Sequence, residues 1–292
     1  MIDASTRLIC LIGDPVEHSI SPLIHNAAFR LMELNYIYLA FRVKKEALNE
    51  AVRGLKSLGV MGFNVTIPHK IAIMEYLDEI SEEAIGIGSV NTVVNHKGRL
   101  KGYNTDAQGA LNALEDSGFE VRGSVVTILG AGGAGRAVAY GMLKRGASAL
   151  YIINRTLERG LELANRLRQL FSRRIEALPF NLESLREAIS HSEILINCTP
   201  VGMYPNIDEI PIPPSLIRKD LIVMDVVYNP LKTRLLREAE KRGAKTVYGI
   251  GMLVHQAALA FKLWTGVEPP VDHMLRVAYS ALRRGKGGRS AR

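Results

Sequence analysis

Residues 13 to 26 read GDPVEHSISPLIHN, two acids, two histidines, two serines and a carboxamide following the apolar run LICLI. Such a cluster could hold a metal, a phosphate or a small polar molecule, or simply begin a helix. Ser21-Pro22 also begins a helix well whatever the function, because Ser caps free amides and Pro fits the first helical position. That explains Ser21 but not Ser19, and an anion beside a helix N-terminus is physically favourable. His18 and His25 lie seven apart with no Cys or second acid at ligand spacing, so both are expected to be structural and no metal is expected. Further on, NVTIPHK ends an apolar strand at Thr66, and Pro68 fixes the turn that presents Lys70. On that segment alone an exposed lysine is the simpler reading. GYNTDAQG then places Asp106 at the opening of a helix, where an acid also serves simply as a favourable N-terminal charge.

The strongest local signal is VVTILGAGGAGRAVAYGMLKRGA, an apolar strand running into Gly130, Gly132 and Gly135 and then an Ala-rich helix. In a G-x-G-x-x-G turn the first glycine allows the tight turn, the second the approach of a pyrophosphate, and the third close helix packing. Strand before and helix after make this a dinucleotide site. The next strand, ALYIINRT, bears on which one. A site for NAD usually ends that strand in an acid that accepts from the ribose 2′-hydroxyl. Here Asn154 stands there, followed by Arg155, Thr156 and, one turn on, Arg159, with Glu158 as the dissonant residue. Guanidinium groups pair with a 2′-phosphate that an acid would repel, so the composition favours NADP.

Strand-like runs alternate with helical patterns almost throughout, which predicts α/β architecture with mostly parallel sheets. Strands are expected at 7–12, 36–43, 63–67 and 90–94, then in SVVTIL, ALYII, RIEAL, EILIN and LIVMDV, with helices in SPLIHNAAFRLMEL and KEALNEAVRGLKSLG. A change of motif near residue 105 divides the chain. Residues 1–105 are expected to form an α/β substrate-binding domain and 106–246 a Rossmann-type doubly wound domain, with the helical segment 247–292 returning to the first.

A chain of 292 residues, 47% hydrophobic and 23% charged, buries a real core. Cys10 and Cys198 lie in separate apolar runs, as expected of reduced thiols in a cytoplasmic protein. Neither a secretory leader nor a run near the roughly 18 apolar residues of a membrane span is present, so a soluble protein without a membrane partner is expected. The net charge of +8 is no argument for nucleic acid. More than half of it comes from Arg283, Arg284, Lys286, Arg289 and Arg292, in a Gly-rich end that reads as solvated.

Taken in order, GDPVEHSISPLIHN, NVTIPHK, SVNT, GYNTD, GAGGAGRA, NRT, NCTPVGM and GMLVHQA resemble the shikimate dehydrogenases, NADP-dependent enzymes that interconvert 3-dehydroshikimate and shikimate in aromatic amino-acid synthesis. The resemblance implies that Ser19 and Ser21 bind the substrate carboxylate and that Thr66 contacts the ring hydroxyls beside Lys70. Asn91, Asp106 and Gln256 would complete the polar wall, with Tyr228 reaching in from the second domain. Lys70 and Asp106 become the catalytic pair. Gly130, Ala131, Gly132, Gly133 and Ala134 would meet the pyrophosphate. Asn154, Arg155, Thr156, Leu157, Glu158 and Arg159 would take the adenosine 2′-phosphate, Val226 and Gly249 the nicotinamide end, and Glu82 a minor cofactor contact. The active site is then expected between the domains, with Lys70 exchanging the proton that accompanies hydride transfer. The family pattern leaves monomer and homodimer both open. Two other readings have discriminators. A quinate/shikimate dehydrogenase accepting NAD would turn over quinate with NAD, and a non-catalytic nucleotide-binding regulator would not need both Lys70 and Asp106.

Overall fold

The computed structural model describes residues 2 to 284; of the basic C-terminal cluster, Lys286, Arg289 and Arg292 lie outside the described residues. Two compact units divide the chain, one holding the residues up to Thr105 and those from Gln256 onward, the other Asp106–His255.

The first unit runs β1 (Arg7–Gly13), α1 (Ser21–Leu31), β2 (Tyr36–Arg42), α2 (Leu48–Ser57), β3 (Gly62–Val65), β4 (Glu79–Ile80), α3 (Glu82–Ile87), β5 (Thr92–His96) and β6 (Arg99–Tyr103). Its six strands lie in the order β2-β1-β3-β5-β6-β4. β1 is parallel to β2 and β3, while β5 is antiparallel to both β3 and β6. The expected strands are present with shifted ends: Thr66 lies just beyond β3, and β5 begins at Thr92. β4 and β6 were not expected, because RLKGY offers no apolar run. Turn chemistry builds β6 instead. Lys97 (φ 51°) and Gly98 (φ 88°) are both left-handed, the pair of conformations a two-residue hairpin requires.

Apolar residues cover both faces of this sheet. Cys10, Ile12, Phe63, Val65 and Val93 pack on α2 through Leu48, Val52 and Leu55. Burial pushes the Cys10 thiol up to about 12, so it stays protonated. An aromatic cluster fills the other side: His25 stacks on Tyr38 at 4.4 Å, Phe29 on Phe261 at 5.3 Å, and the Trp264 indole donates to the Val93 carbonyl at 2.9 Å. Each such ring contributes roughly 1.5 to 3 kcal/mol on burial. The outer edge of β2 is blunted by Asn26 of α1, whose carboxamide donates to the Tyr38 carbonyl and accepts from the Tyr38 amide, both at 2.8 Å. The side chain copies a neighbouring strand's peptide group where the edge would otherwise offer open pairing.

The second unit runs α4 (Asp106–Asp116), β7 (Val125–Leu129), α5 (Gly133–Lys144), β8 (Ala149–Asn154), α6 (Leu157–Leu170), β9 (Arg174–Pro179), α7 (Leu182–His191), β10 (Ile194–Asn197), β11 (Ile222–Asp225), α8 (Arg234–Lys241) and β12 (Lys245–Tyr248). All its strand pairs are parallel, in the order β12-β11-β10-β7-β8-β9, the doubly wound order of a dinucleotide-binding fold. Alternate residues explain the double layer. Val126, Ile128, Leu150, Ile152 and Ile196 pack with α4, α5 and α6, while Leu129, Tyr151, Ile153, Leu195 and Val223 pack with α7 and α8. Strands buried on both faces read as continuous apolar runs. Last come α9 (Gly249–Thr265), which begins in this unit and ends in the first, and α10 (Val271–Arg284). His255 of α9 holds Asp116 of α4 at 2.8 Å.

Candidate functional site

Strand register gathers the polar residues of the first unit at one sheet end. Ile12 lies beside Val65, Asn64 beside Thr92 and Thr92 beside Tyr103, so the segments after β1 and β3, the start of β5 and the exit of β6 share that end. Asn91 is 2% exposed there. Its Oδ1 accepts from the Thr105 amide at 2.8 Å and the Thr92 hydroxyl at 2.9 Å, and its Nδ2 donates to Thr105 Oγ1 at 2.9 Å and Gln256 Oε1 at 3.4 Å. Behind it, Asn64 Nδ2 donates to Thr92 Oγ1 and to the Asn91 carbonyl, both at 3.0 Å, and Tyr38 donates to Asn64 Oδ1 at 2.7 Å. Asn91 and Gln256, which the resemblance named, are thus joined in one network. Tyr38, Asn64, Thr92 and Thr105 were not singled out, although three of them stand inside the quoted motifs.

Ser19 is half-buried in the segment before α1, and Ser21 is the first residue of that helix. The expected cap on Ser21 is not what forms. Ile20 occupies the cap position without a side-chain cap, and Ser19 Oγ accepts from the Ser21 amide at 3.2 Å. A lone pair of Ser19 makes that bond, which leaves its proton to donate. Thr66 and Lys70 are half-buried in the turn after β3, where the Lys70 carbonyl accepts from the Val90 amide at 2.8 Å. Glu82 opens α3 and is exposed. His25 lies fully buried in the aromatic cluster with neither ring nitrogen hydrogen-bonded, and burial holds its pKa down at about 3. Among the described residues no group of three or more His, Cys, Asp or Glu could hold a metal.

In the second unit the candidate residues line the carboxyl ends of parallel strands, where open α/β sheets bind their ligands. Gly130, with φ +101°, turns the chain out of β7. Gly135 admits the Gly130 carbonyl into the space a Cβ would fill, and a Cβ on Gly132 would meet nothing within 4 Å. Gly132 precedes α5, whose first turn contains Gly133 and Ala134, so the positive end of a helix dipole lies at that opening. This arrangement fits a pyrophosphate. Asn154 does something the sequence did not suggest. Its Oδ1 accepts from the Ala131 amide at 3.0 Å and its Nδ2 donates to the Thr156 carbonyl at 2.7 Å, so it ties the end of β8 to the glycine turn. Arg155, Thr156, Glu158 and Arg159 are exposed and Leu157 half-buried at the start of α6. Asp106, 4% exposed, opens α4; Val226 and Tyr228 are half-buried beyond β11; Gly249 opens α9.

Asp225, the residue before Val226, was overlooked. It is fully buried, accepting from Thr233 Oγ1 at 2.7 Å and from the Val227 amide and Asn197 Nδ2 at 3.0 Å. Burial pushes its pKa up to about 7, against the pull of those three donors. The only sequence signal is an acid ending the apolar run LIVMD. A carboxyl whose folded pKa is raised stabilises the fold fully below its unfolded value near 3.8, and that contribution is lost as pH rises towards 7. Asp225→Asn does not ionise. Its stability relative to wild type should therefore rise by roughly 2 to 3 kcal/mol between pH 5 and pH 8. Parallel urea-midpoint profiles for the two proteins would contradict this.

A doubly wound dinucleotide-type unit, joined to a second sheet with a buried polar network at one end, defines a Rossmann-containing α/β protein of two units. Three family models match successive parts of the chain: the shikimate dehydrogenase substrate binding domain over residues 11–93, shikimate / quinate 5-dehydrogenase over 113–204, and the shikimate 5'-dehydrogenase C-terminal domain over 249–279. The chain belongs to the shikimate dehydrogenase family. It is 49% identical to the NADP(+) shikimate dehydrogenase of Methanopyrus kandleri, over 97% of this chain and 98% of that one. A crystal structure of a shikimate dehydrogenase in complex with NADP+ is 46% identical over 97% of this chain and 98% of that one, with a TM-score of 0.89. The Thermus thermophilus enzyme, in complex with NADP(H) and shikimate, is 39% identical over 95% of this chain and its whole length, with a TM-score of 0.84.

Proposed function

We propose that this chain catalyses the reversible, NADP-dependent reduction of 3-dehydroshikimate to shikimate, in the cytoplasm, as a step of aromatic amino-acid synthesis. The observation that carries the reading furthest is the Asn91–Thr105–Gln256 network. It sets polar side chains at one end of a sheet whose faces are otherwise apolar, in a chain of this family. A polyhydroxylated ring needs such a wall. Ser19 and Ser21, beside the N-terminus of α1, take the substrate carboxylate, and Thr66, Asn91, Asp106, Tyr228 and Gln256 take its hydroxyl and carbonyl groups.

The glycine turn and the first turn of α5 hold the pyrophosphate, and Arg155 and Arg159 the 2′-phosphate. Glu82 is the minor contact, and Val226 and Gly249 border the nicotinamide. When bound, the nicotinamide exchanges hydride with the ring carbon. The protein's own chemical contribution is the proton: Lys70, as ammonium, supplies it to the oxygen formed on reduction and recovers it on oxidation, with Asp106 as its pair. Two exposed arginines in place of an acid favour NADP over NAD. Mixing the protein with shikimate and NADP should produce the absorbance of reduced nicotinamide; no absorbance change at saturating concentrations of both would refute the proposal.

Ser19→Ala separates the two ligands. Loss of one hydrogen bond to a carboxylate should weaken shikimate binding by roughly 0.5 to 3 kcal/mol and leave NADP affinity nearly unchanged. Calorimetry showing both ligands weakened alike would put Ser19 elsewhere.

A further inference from the structure

The buried network behind Asn91 has a direction, fixed by which atoms can donate. Thr105 presents a backbone amide to Asn91 Oδ1, so that oxygen is the acceptor and Asn91 Nδ2 must face Thr105 Oγ1 and Gln256 Oε1. At the far end, Asn64 Nδ2 faces the Asn91 backbone carbonyl, which can only accept, and Asn64 Oδ1 therefore faces the Tyr38 hydroxyl. Thr92 stands between the two carboxamides. Its oxygen accepts from Asn64 Nδ2 at 3.0 Å, which directs its single proton to Asn91 Oδ1 at 2.9 Å. Tyr38 and Thr92 are both 0% exposed, Asn64 6% and Asn91 2%, so water cannot replace any of these partners cheaply.

We propose that Tyr38, Asn64 and Thr92 are positioning residues that hold the carboxamide of Asn91, and through it that of Gln256, in the orientation that binds the substrate. The assignment rests on the function proposed above. Because Asn91 Nδ2 faces Gln256 Oε1, the Gln256 amide group is left as the donating end, which suits a ring hydroxyl or carbonyl oxygen. Without the Thr92 hydroxyl, Asn64 Nδ2 loses an acceptor and Asn91 Oδ1 a donor at once, and the two carboxamides are no longer locked to each other. The phenol of Tyr38 acts one residue further back, and its ring stacks on His25 whether or not the hydroxyl is present.

Thr92→Val, which keeps the shape and removes the hydroxyl, tests this beside Tyr38→Phe, with Thr92→Ser as the variant that restores the bond. Steady-state kinetics on the full chain should show KM for shikimate raised about 3- to 10-fold in Thr92→Val and somewhat less in Tyr38→Phe. In both, kcat should stay within about threefold and KM for NADP unchanged, because apart from the minor contact at Glu82 the proposed cofactor residues lie in the other unit. Thr92→Ser should return KM to near the wild-type value. A rise in both KM values together, or a fall in kcat without a change in KM for shikimate, would overturn the positioning role and mark the network as structural support. A working wild type with all three variants unchanged would overturn the role alone. A wild type that does not turn over shikimate would overturn the proposed function and this role with it.

Discussion

Lys70→Ala should lower the turnover of shikimate by roughly 10²- to 10⁴-fold, the contribution of a positioned proton donor. Nothing in the second unit carries this group. It comes from the turn after β3, where the Thr66 carbonyl accepts from the His69 amide at 2.9 Å and the Lys70 carbonyl from the Val90 amide at 2.8 Å, so the backbone is fixed on both sides of the side chain. His69, fully buried with Nε2 against the Val43 carbonyl at 2.7 Å, anchors the same turn from inside. The alanine variant keeps all of those backbone bonds. Shikimate binding should therefore fall far less than turnover, and a variant with near-normal kcat would remove Lys70 from the chemistry.

A cofactor effect of comparable clarity is expected at Arg155. It follows β8 directly and precedes α6, whose cap residue Thr156 makes no side-chain capping bond. An anion there meets a guanidinium and a helix N-terminus together. If a charge-assisted pair worth about 1.5 to 3 kcal/mol is lost, Arg155→Ala should raise KM for NADP about 10- to 150-fold. The exposure of Arg155 and the presence of Arg159 one turn on favour the low end. NAD lacks the 2′-phosphate, so its use should hardly change, and rising salt should narrow the wild-type preference. Equal losses with both cofactors would show that Arg155 supports the adenine or the fold.

The second unit was the more legible of the two in sequence. Its central strands are largely buried on both faces, so VVTIL, ALYIIN and LIVMD announce themselves, whereas the half-polar edge strand β12 was not expected, and the glycine spacing marks where the chain must turn sharply at Gly130. β6 and the two-residue β4 were hidden because their residues are partly polar: β6 is held by hairpin geometry and by pairing with β5, and β4 by pairing with β6. Among the proposed site residues, the glycine turn was singled out by its spacing, and Ser19 and Lys70 took their roles from the family resemblance. Asn64 and Thr92 were not singled out. Each is an ordinary polar residue in or beside a strand, and its role appears only once the register sets Asn64 opposite Thr92. Asn154, which the resemblance gives to the 2′-phosphate site, also ties the glycine turn to the end of β8, its carboxamide binding the Ala131 amide and the Thr156 carbonyl. The selection between NADP and NAD then falls on the charge of Arg155 and Arg159 and on the missing acid.

Whether the protein is built for shikimate and NADP is decided by one set of initial rates, kcat/KM for shikimate and for quinate, each with NADP and with NAD. The polar wall around Asn91 and Gln256 and the arginines after β8 predict the highest value for shikimate with NADP. They also predict a loss of about 10-fold or more on replacing NADP by NAD. Quinate with NAD equal to or above shikimate with NADP would contradict both the substrate and the cofactor assigned.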